Sequence, residues 1–261
     1  MNYKFIQFDI DSNVGLIKFN RPDVLNSFNL EMGKELHEAL EKCDSKEIRC
    51  VVITGEGRAF CAGQDLAEAV PKDKPLAELG KILDENYNKT ILLIRNLNKP
   101  VIAAVNGVAA GAGANIALAC DIVIASEKAS FAQVFSKIGL IPDSGGTYFL
   151  PRLIGFQKAS ALMMMGDKVS ADEAEKLGMI YKVISENEFK EKVNEIAKQL
   201  ATMPTKGFAL TKKALNQSMN NDLESQLELE KQLQIEAGNT HDYKEGVQAF
   251  LEKRKPNFKG N

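Results

Sequence analysis

Short buried strands that alternate with helical stretches are the feature that most restricts the fold of this chain. Val101–Val105 and Asp121–Ala125 are apolar runs with the length of buried strands, and the small-residue segment Gly107–Ala119 separates them. Parallel strands need a crossover of about a dozen residues or more, which is usually a helix. The order of strand, helix and strand therefore predicts an α/β fold, in which helices cover a parallel sheet.

Both ends of the chain add to this sheet. Phe5–Ile10 and Val14–Phe19 flank a short polar turn and predict an amino-terminal hairpin. After Gly145 the pattern becomes mainly helical, and the leucines of Leu223–Leu233 form an amphipathic stripe that must cover its own subunit or a neighbour. The remaining predicted elements are a strand at Cys50–Thr54, a capping box at Ser170–Glu173, and helices at Leu30–Leu40, Leu79–Leu97, Phe189–Ala201, Thr205–Gln217 and Leu223–Ala237.

The composition of the 261 residues argues against several classes of protein. A net charge of −2 without a long basic block disfavours nucleic acid as a partner, and no apolar run reaches the roughly 20 residues that span a membrane. The amino terminus lacks the apolar core of a signal peptide. Four cysteines without a CxxC pair, and only two histidines, disfavour a metal site or a disulfide framework and predict a cytoplasmic protein. Carboxylates and backbone dipoles remain as the groups that could carry chemistry.

Three segments contain more glycine and other small residues than loops require: Gly57–Leu66, Asn106–Asn115 and Ile141–Thr147. The middle segment opens a predicted helix directly after the strand Val101–Val105. Small side chains there let a ligand approach free N–H groups at the positive end of the helix dipole. Such donors can stabilise the charge that develops on a thioester oxygen during a reaction. Taken alone, close packing of helix against strand explains this segment equally well.

Two common catalytic motifs are absent from these segments. Gly111–Gly113 looks like part of a dinucleotide-binding turn, but Ile116 occupies the third glycine position and no strand-terminal acid follows about 20 residues later. Ser144 has Pro142 and Gly146 two residues away, so it is not on a G-x-S-x-G elbow. We therefore expect neither a Rossmann cofactor site nor a serine hydrolase.

Asp143 has two interpretations from local sequence. It precedes a Ser-Gly-Gly-Thr run, so it could cap a helix that begins near Gly145–Thr147. As a carboxylate beside a glycine-rich loop it could instead transfer a proton. The order of all three segments along the chain favours the second interpretation.

The three segments in this order resemble the enoyl-CoA hydratase/isomerase, or crotonase, superfamily. The motifs are R-A-F-C-A-G-Q-D-L, A-V-N-G-V-A-A-G-A-G-A and L-I-P-D-S-G-G-T, and the similarity extends from Leu16–Ser27 to the tail Glu245–Gly260. Phe135–Arg152 and Asp242–Gly260 most resemble the branch of the family that isomerises ring-epoxidised phenylacetyl-CoA. The resemblance implies a crotonase-like β-β-α spiral core with the acyl-CoA site at residues 1–200. It also implies a C-terminal α-helical region at residues 201–261, which assembles homotrimers or dimers of trimers.

The resemblance also implies a set of site residues. In this family two backbone N–H groups form an oxyanion hole for the thioester carbonyl, and the motifs place them at Gln64 and Ala112. Coenzyme A, which is part of the substrate and not a separate cofactor, would lie along Arg21–Leu25 and Ala62–Leu66. The residues expected to contact the substrate are Arg21, Val24, Ala62, Gly63, Asp65, Leu66, Gly111 and Phe135.

Departures from the family pattern indicate the reaction. Hydratases of the family use two glutamates, and their positions are occupied here by Asn115 and Phe135, neither of which can exchange a proton. Asp143 remains, at a position where several isomerases of the family carry a carboxylate. We therefore expect an acyl-CoA isomerase with Asp143 as its acid and base. The alternatives are a 2-enoyl-CoA hydratase and a non-catalytic acyl-CoA-binding or scaffold protein.

The acyl group is not specified by these motifs. We expect the pocket walls to come from Val70–Leu83 and Phe131–Phe135. The aromatic rings of Phe131, Phe135 and Tyr148 suit an aromatic or ring-derived acyl group, although core packing explains Phe131 equally well. The Pro- and Lys-rich stretch Val70–Leu76 is predicted to be a loop.

Overall fold

The computed structural model describes residues 3–69 and 78–261, and the larger of its two sheets has six strands. Their order is β1-β2-β3-β5-β7-β10, with bounds of Ile6–Asp11 (β1), Val14–Phe19 (β2), Cys50–Gly55 (β3), Val101–Val105 (β5), Ile122–Ser126 (β7) and Lys182–Ile184 (β10). The first two strands form an antiparallel hairpin, and the other neighbours in the order pair in parallel. The predicted hairpin and parallel sheet are thus confirmed.

A smaller, four-stranded sheet lies alongside, in the order β4-β6-β8-β9. Its strands are Ala59–Cys61 (β4), Val108–Ala110 (β6), Ser130–Ala132 (β8) and Lys168–Ser170 (β9). Strands β4, β6 and β8 each follow directly on a strand of the larger sheet, and after each of them the chain enters a helical segment. This threefold repeat of two strands and a helix is the expected β-β-α spiral.

Helices account for most of the rest of the described chain. Their bounds are Leu30–Lys42 (α1), Leu66–Ala69 (α2), Leu79–Ile82 (α3), Lys89–Asn96 (α4), Ala112–Leu118 (α5), Gly146–Ile154 (α6), Phe156–Met165 (α7), Ala171–Lys176 (α8), Glu186–Ala201 (α9), Thr205–Ser218 (α10), Leu223–Gly238 (α11) and His241–Leu251 (α12). The predicted helical C-terminal region is confirmed. The Ser170 cap of the predicted capping box is present, because the Ser170 hydroxyl accepts a hydrogen bond from the Glu173 amide. None of the described helices is long and apolar enough to cross a membrane.

The helix predicted over Leu79–Leu97 differs from the structure in its middle. Leu83–Asn88 is a π-helix between α3 and α4. The carbonyl of Asn86, in this widened turn, is 3.1 Å from Nε2 of the buried His37 and accepts a hydrogen bond from the Thr90 hydroxyl. A π-turn adds one residue to the helix. The helical stretches on either side, Leu79–Ile82 and Lys89–Asn96, are too short for the resulting shift of the apolar period to be evident in the sequence.

Strand β3 shows how the sheet is buried on both faces. Val51 and Ile53 belong to the core under the helices of the first half of the chain, whereas Cys50 and Val52 pack on the opposite face. Helix α9 covers that opposite face with inward side chains spaced one helical turn apart. These side chains are Phe189, Val193, Ala197 and Ala201. Burial on both faces explains why the parallel strands are continuous apolar runs.

Helix α10 is attached to the core by a buried lysine. Lys212, whose side chain is 7% exposed, donates to the carbonyl of Ile94 and to the Asp121 carboxylate, 2.7 and 2.8 Å away. Arg95 approaches the same carboxylate at 3.0 Å. Burial lowers the pKa of Lys212, which its ion pair with Asp121 opposes. Specific partners therefore stabilise the charged ammonium group of Lys212. Loss of this group would leave the Asp121 carboxylate and the Ile94 carbonyl with fewer hydrogen-bond donors.

Replacing this lysine tests the attachment. We expect Lys212→Met to lower the free energy of unfolding by about 3 kcal/mol, the usual result of removing one partner of a buried ion pair. Lys192→Met is the matched control, because Lys192 forms an exposed pair with Glu195 that should contribute less than about 1 kcal/mol. Urea unfolding curves measure both. Equal losses in the two variants would show that Lys212 does not attach α10.

Candidate active site

The first two predicted segments meet backbone to backbone. A Cβ atom added to Gly63 would lie 2.9 Å from the carbonyl oxygen of Ala110 and 3.5 Å from the amide nitrogen of Ala112. Gly63 has a φ of +94°, and Gly111, the residue before α5, has a φ of +53°. Larger residues rarely adopt such angles, so glycine is required at both positions. These glycines bring the Gln64 loop against the start of α5.

Both expected oxyanion-hole amides are free to bind a ligand. Phe28 donates to the carbonyl of Gly63 and accepts from the amide of Asp65, so the N–H of Gln64, between them, points away from Phe28. Ala112 is the first residue of α5, where a helix leaves its N–H without an internal partner. Within residues 3–69 and 78–261, neither amide has a hydrogen-bond acceptor. Two unpaired donors therefore lie on loops that touch.

Asp143 lies on a sharp turn that rests against α5. Ser144 and Gly145, with φ of +50° and +75°, reverse the chain, and the Asp143 carbonyl accepts from the Gly146 amide at 2.8 Å. The same carbonyl accepts a second bond of 2.8 Å from Nδ2 of Asn115, on α5. The third segment is thus held within one helical turn of Ala112.

The interpretation of Asp143 as a helix cap is wrong. Helix α6 begins at Gly146 with Gly145 in the cap position, and no side chain caps it. A left-handed glycine completes the tight turn there, so the aspartate side chain is not aimed at the first helical amides. Its carboxylate instead accepts a hydrogen bond of 2.8 Å from the Ser144 hydroxyl.

The surroundings of Asp143 differ from those of the other acids in this region. The Asp65 carboxylate pairs with Arg21 at 2.8 Å, and the Glu68 carboxylate accepts from the backbone amide of Leu30. Asp143 is half-buried, and this burial raises the pKa of its carboxyl, an effect that its hydrogen bond from Ser144 opposes. A neutral hydroxyl stabilises a carboxylate less than a guanidinium does. Asp143 is therefore the carboxylate of this region best suited to exchange a proton.

Arg21 and Asp65, both expected to contact the substrate, are paired with each other. Each side chain is 16% exposed, and a second nitrogen of the guanidinium donates to the carbonyl of Ser27. The guanidinium also lies 5.3 Å from the ring centre of Phe5. The ion pair joins the Arg21–Leu25 loop to the loop of Gln64, so it orders the site whether or not a ligand also contacts it.

Other residues expected along coenzyme A lie at the surface of the same two loops. Val24 and Leu66 are 45% and 52% exposed, which is unusual for large apolar side chains. The amide of Ala62 donates to the carbonyl of Leu25 and holds the loops together. Residues 70–77 of the expected wall Val70–Leu83, which include the loop predicted at Val70–Leu76, lie outside the described residues.

Tyr87 is a site residue that the sequence did not indicate. Its side chain is 1% exposed, and its hydroxyl donates to Oε1 of Gln64 at 2.6 Å. The ring packs on Phe28 with centres 5.3 Å apart. Burial raises the pKa of Tyr87 well above its ordinary value, and the charge of Asp143 acts in the same direction. Tyr87 thus holds the side chain of Gln64 through this hydrogen bond.

The two positions that the resemblance assigns to the hydratase glutamates are neutral and buried. Asn115 is 0% exposed, and Phe135 is 6% exposed with its ring beside Gly111. Phe131 belongs to the hydrophobic core, as core packing predicts. Tyr148 is half-buried and contacts Phe149. The described part of the chain contains no group of three or more His, Cys, Asp or Glu side chains placed to hold a metal ion.

Comparison with known proteins identifies the family of the chain. Residues 9–261 match the family described as enoyl-CoA hydratase/isomerase. The chain belongs to this family. It is 46% identical over 259 residues to the 1,2-epoxyphenylacetyl-CoA isomerase of Escherichia coli, covering 98% of this chain and 99% of the relative. It is 35% identical over 251 residues to the short-chain-enoyl-CoA hydratase of Clostridium acetobutylicum, covering 94% of each chain.

A solved structure of an enoyl-CoA hydratase from Bacillus anthracis matches the fold with a TM-score of 0.93. It is 36% identical in sequence, and the match covers 99% of this chain and 100% of that one. The crotonase-like fold expected from the sequence is therefore confirmed. The enoyl-CoA hydratase/isomerase family includes both reaction types, so the choice between them depends on the side chains of the site.

The raised pKa of Asp143 makes a prediction about stability. A folded-state pKa above the unfolded value stabilises the fold below the unfolded pKa, and this contribution is lost as the pH rises through the folded pKa. At pH 7 the ionised carboxylate is therefore destabilising. We expect Asp143→Asn to raise the melting temperature at pH 7 by roughly 2–4 °C, the change that about 1 kcal/mol produces in a domain of this size. The gain should shrink as the pH falls towards about 4.

Asp65→Asn is the matched control, because it removes the partner of Arg21 and should lower the melting temperature instead. Differential scanning calorimetry between pH 4 and 8 measures both variants. If Asp143→Asn were as destabilising as Asp65→Asn at pH 7, the carboxylate would have a structural role that the geometry does not show.

Proposed function

We propose that this enzyme isomerises acyl-CoA thioesters, by moving a double bond or by isomerising a ring epoxide, with Asp143 as the acid and base. The observation that supports this is the contrast between three positions of the site. Asp143 is a half-buried carboxylate with a raised pKa, whereas Asn115 and Phe135 are neutral where hydratases of the family carry glutamates. One proton carrier suffices for an isomerisation.

The thioester carbonyl would accept hydrogen bonds from the amides of Gln64 and Ala112. These donors stabilise the oxyanion that forms when the substrate becomes an enolate, and each is typically worth about 3 kcal/mol in the transition state. Burial of Asp143 favours this chemistry in a second way, because a raised pKa makes its carboxylate a stronger base.

The proton balance of the double-bond shift closes within the site. The Asp143 carboxylate takes a proton from the α- or γ-carbon of the acyl chain, and the electron pair of the C–H bond enters the enolate. The same carboxyl returns the proton to the other carbon as the enolate collapses. The double bond has then moved, and both the enzyme and the number of substrate atoms are unchanged.

We extend the proposal to an aromatic or ring-derived acyl group. The ring of Phe135 lies beside Gly111, next to the Ala112 amide. The relative from Escherichia coli is named as an isomerase of a phenylacetyl-CoA epoxide, which supports the same acyl class. Coenzyme A would enter as part of the substrate, over the exposed Val24 and Leu66.

A 2-enoyl-CoA hydratase is the second candidate, and the relative from Clostridium acetobutylicum supports it. Hydration would require Asp143 alone to activate water and to protonate the product carbon. A non-catalytic acyl-CoA-binding or scaffold protein is the third. A panel of acyl-CoAs incubated in D₂O separates them by mass spectrometry, because an isomerase rearranges or exchanges the acyl chain, a hydratase adds water, and a binding protein does neither.

Assembly into a homotrimer, or a dimer of trimers, belongs to the same proposal. In α11, Leu233 is buried, but Leu223 and Leu227 are 73% and 54% exposed. The stripe predicted from the sequence is thus only partly covered by its own chain. Packing between C-terminal helices of neighbouring copies would remove the remaining apolar surface from water.

Removing the carboxylate of Asp143 tests the proposed acid and base. We expect Asp143→Asn to lower the kcat for isomerisation by about 10²–10⁴, the usual contribution of general acid–base catalysis. Affinity for the acyl-CoA should change little, since the neutral side chain keeps its size. Asp9→Asn, at an exposed acid of β1, is the control and should retain wild-type kcat. Wild-type activity in Asp143→Asn would exclude the proposed role.

Ala112→Pro tests the amide of α5 without removing a side-chain function. Proline is well tolerated at the first position of a helix but carries no N–H, so the change removes one oxyanion donor. We expect kcat to fall by about 10²–10³ while circular dichroism stays unchanged. His241→Pro, at the first position of α12, is the matched control. If both proline variants kept full activity, the oxyanion would have to be held elsewhere.

A further inference from the structure

Two buried side-chain amides form a hydrogen-bonded series from the smaller sheet to the Asp143 loop. Nε2 of Gln133 donates to Oδ1 of Asn115 at 2.7 Å, and Nδ2 of Asn115 donates to the carbonyl of Asp143 at 2.8 Å. Gln133 and Asn115 are 2% and 0% exposed. Buried polar side chains are costly unless they make such bonds, so their presence beside a catalytic loop calls for an explanation.

The direction of donation along this hydrogen-bonded series is determined by its last acceptor, the carbonyl of Asp143. The carbonyl of Asp143 can only accept, so Asn115 must turn its NH₂ group towards it. The oxygen of Asn115 then faces Gln133, which must present its own NH₂ group in turn. Turning either amide around would place two acceptors or two donors in contact. The two side chains therefore have one consistent arrangement.

Both amide side chains of this hydrogen-bonded series belong to elements that also form the oxyanion hole. Asn115 follows Ala112 by three residues on α5, so it lies one turn from the free amide. Gln133 follows β8, whose last residue, Ala132, accepts a hydrogen bond from the amide of Gly111 at 2.9 Å. The position of the Asp143 loop is thus set relative to the same two elements that hold the Ala112 amide.

We infer that Asn115 and Gln133 are positioning residues, which hold the Asp143 loop at a fixed separation from the oxyanion-hole amide of Ala112. This inference rests on the proposed function. A proton carrier must stay within hydrogen-bond reach of the substrate carbon while the carbonyl remains on the amides. Asn115, at the position that the family resemblance assigns to a hydratase glutamate, would in this way align the carboxylate of Asp143.

Close packing around Asn115 supports the same role. A Cβ atom on Gly146 would lie 2.4 Å from Nδ2 of Asn115, so the first residue of α6 must be glycine for this amide to reach Asp143. The turn at Ser144 and Gly145 then places the carboxylate beside the Ser144 hydroxyl. A looser contact at Asn115 would let the whole turn move.

Gln133→Met and Asn115→Ala test the inference, each alone and in combination. Gln133→Met keeps the length of the side chain and leaves α5 untouched, so it remains informative if Asn115→Ala folds poorly. We expect each single variant to lower kcat at least tenfold with KM changed less than about twofold. Because the two amides act in series, the double variant should lose little more than either single variant. The acid limb of the pH profile of kcat/KM should also shift, since it reports the pKa of Asp143.

Asn216→Leu is the control for a merely structural effect. Asn216 hydrogen-bonds Arg95 and helps to attach α10, so its loss should lower stability but leave kcat and the pH profile unchanged. If Gln133→Met and Asn115→Ala behaved like Asn216→Leu, the positioning role would be wrong while the activity of the wild type still supported the proposed function. If the wild type isomerised no acyl-CoA, the proposed function would fail and this inference with it.

Discussion

The site depends on one contact, the backbone-to-backbone approach of the Gly63 loop to the start of α5. Room for it exists because Gly63 has no Cβ, which would otherwise lie 2.9 Å from the Ala110 carbonyl. The contact places the amides of Gln64 and Ala112 on neighbouring loops. The ion pair of Arg21 with Asp65, and the bond from Tyr87 to Gln64, then hold the first loop in place. Most of the remaining site residues stabilise this contact or approach it from the Asp143 side.

The sequence predicted the elements of the fold better than their arrangement. Strand β5 was predicted with its observed bounds because five apolar residues stand between a proline and a glycine-rich segment. Strand β7 was predicted one residue early, since Asp121 precedes the apolar run and its carboxylate accepts from the amide of Val101 instead. The β-β-α spiral was implied by family resemblance alone, and the division into two sheets was not predicted. The short strands β4, β6 and β8 have three residues each, too few to show a period.

For the site, the sequence indicated residue types but not their partners. Asp65 and Arg21 are 44 residues apart, and their pairing depends on how two loops fold back. Tyr87 lies in a helical pattern, where a tyrosine usually packs in the core, and its hydrogen bond to Gln64 joins residues 23 positions apart that no local pattern connects. Local sequence made Asp143 a helix cap. The left-handed Gly145 overrides that preference, because it takes the cap position itself.

The arrangement at Asp143 shows how stability and reactivity oppose each other. Burial raises the pKa of the carboxylate and makes it a better base. The same burial means that the ionised side chain destabilises the folded state. Pairing the carboxylate with a cation, as Asp65 is paired with Arg21, would remove this destabilisation but would also make the carboxylate a weaker base. The hydrogen bonds of the loop are made instead by the Asp143 carbonyl, with Gly146 and Asn115 as donors. The backbone is thereby held firmly, and in the proposed function the carboxylate, with only the Ser144 hydroxyl as its donor, exchanges the proton.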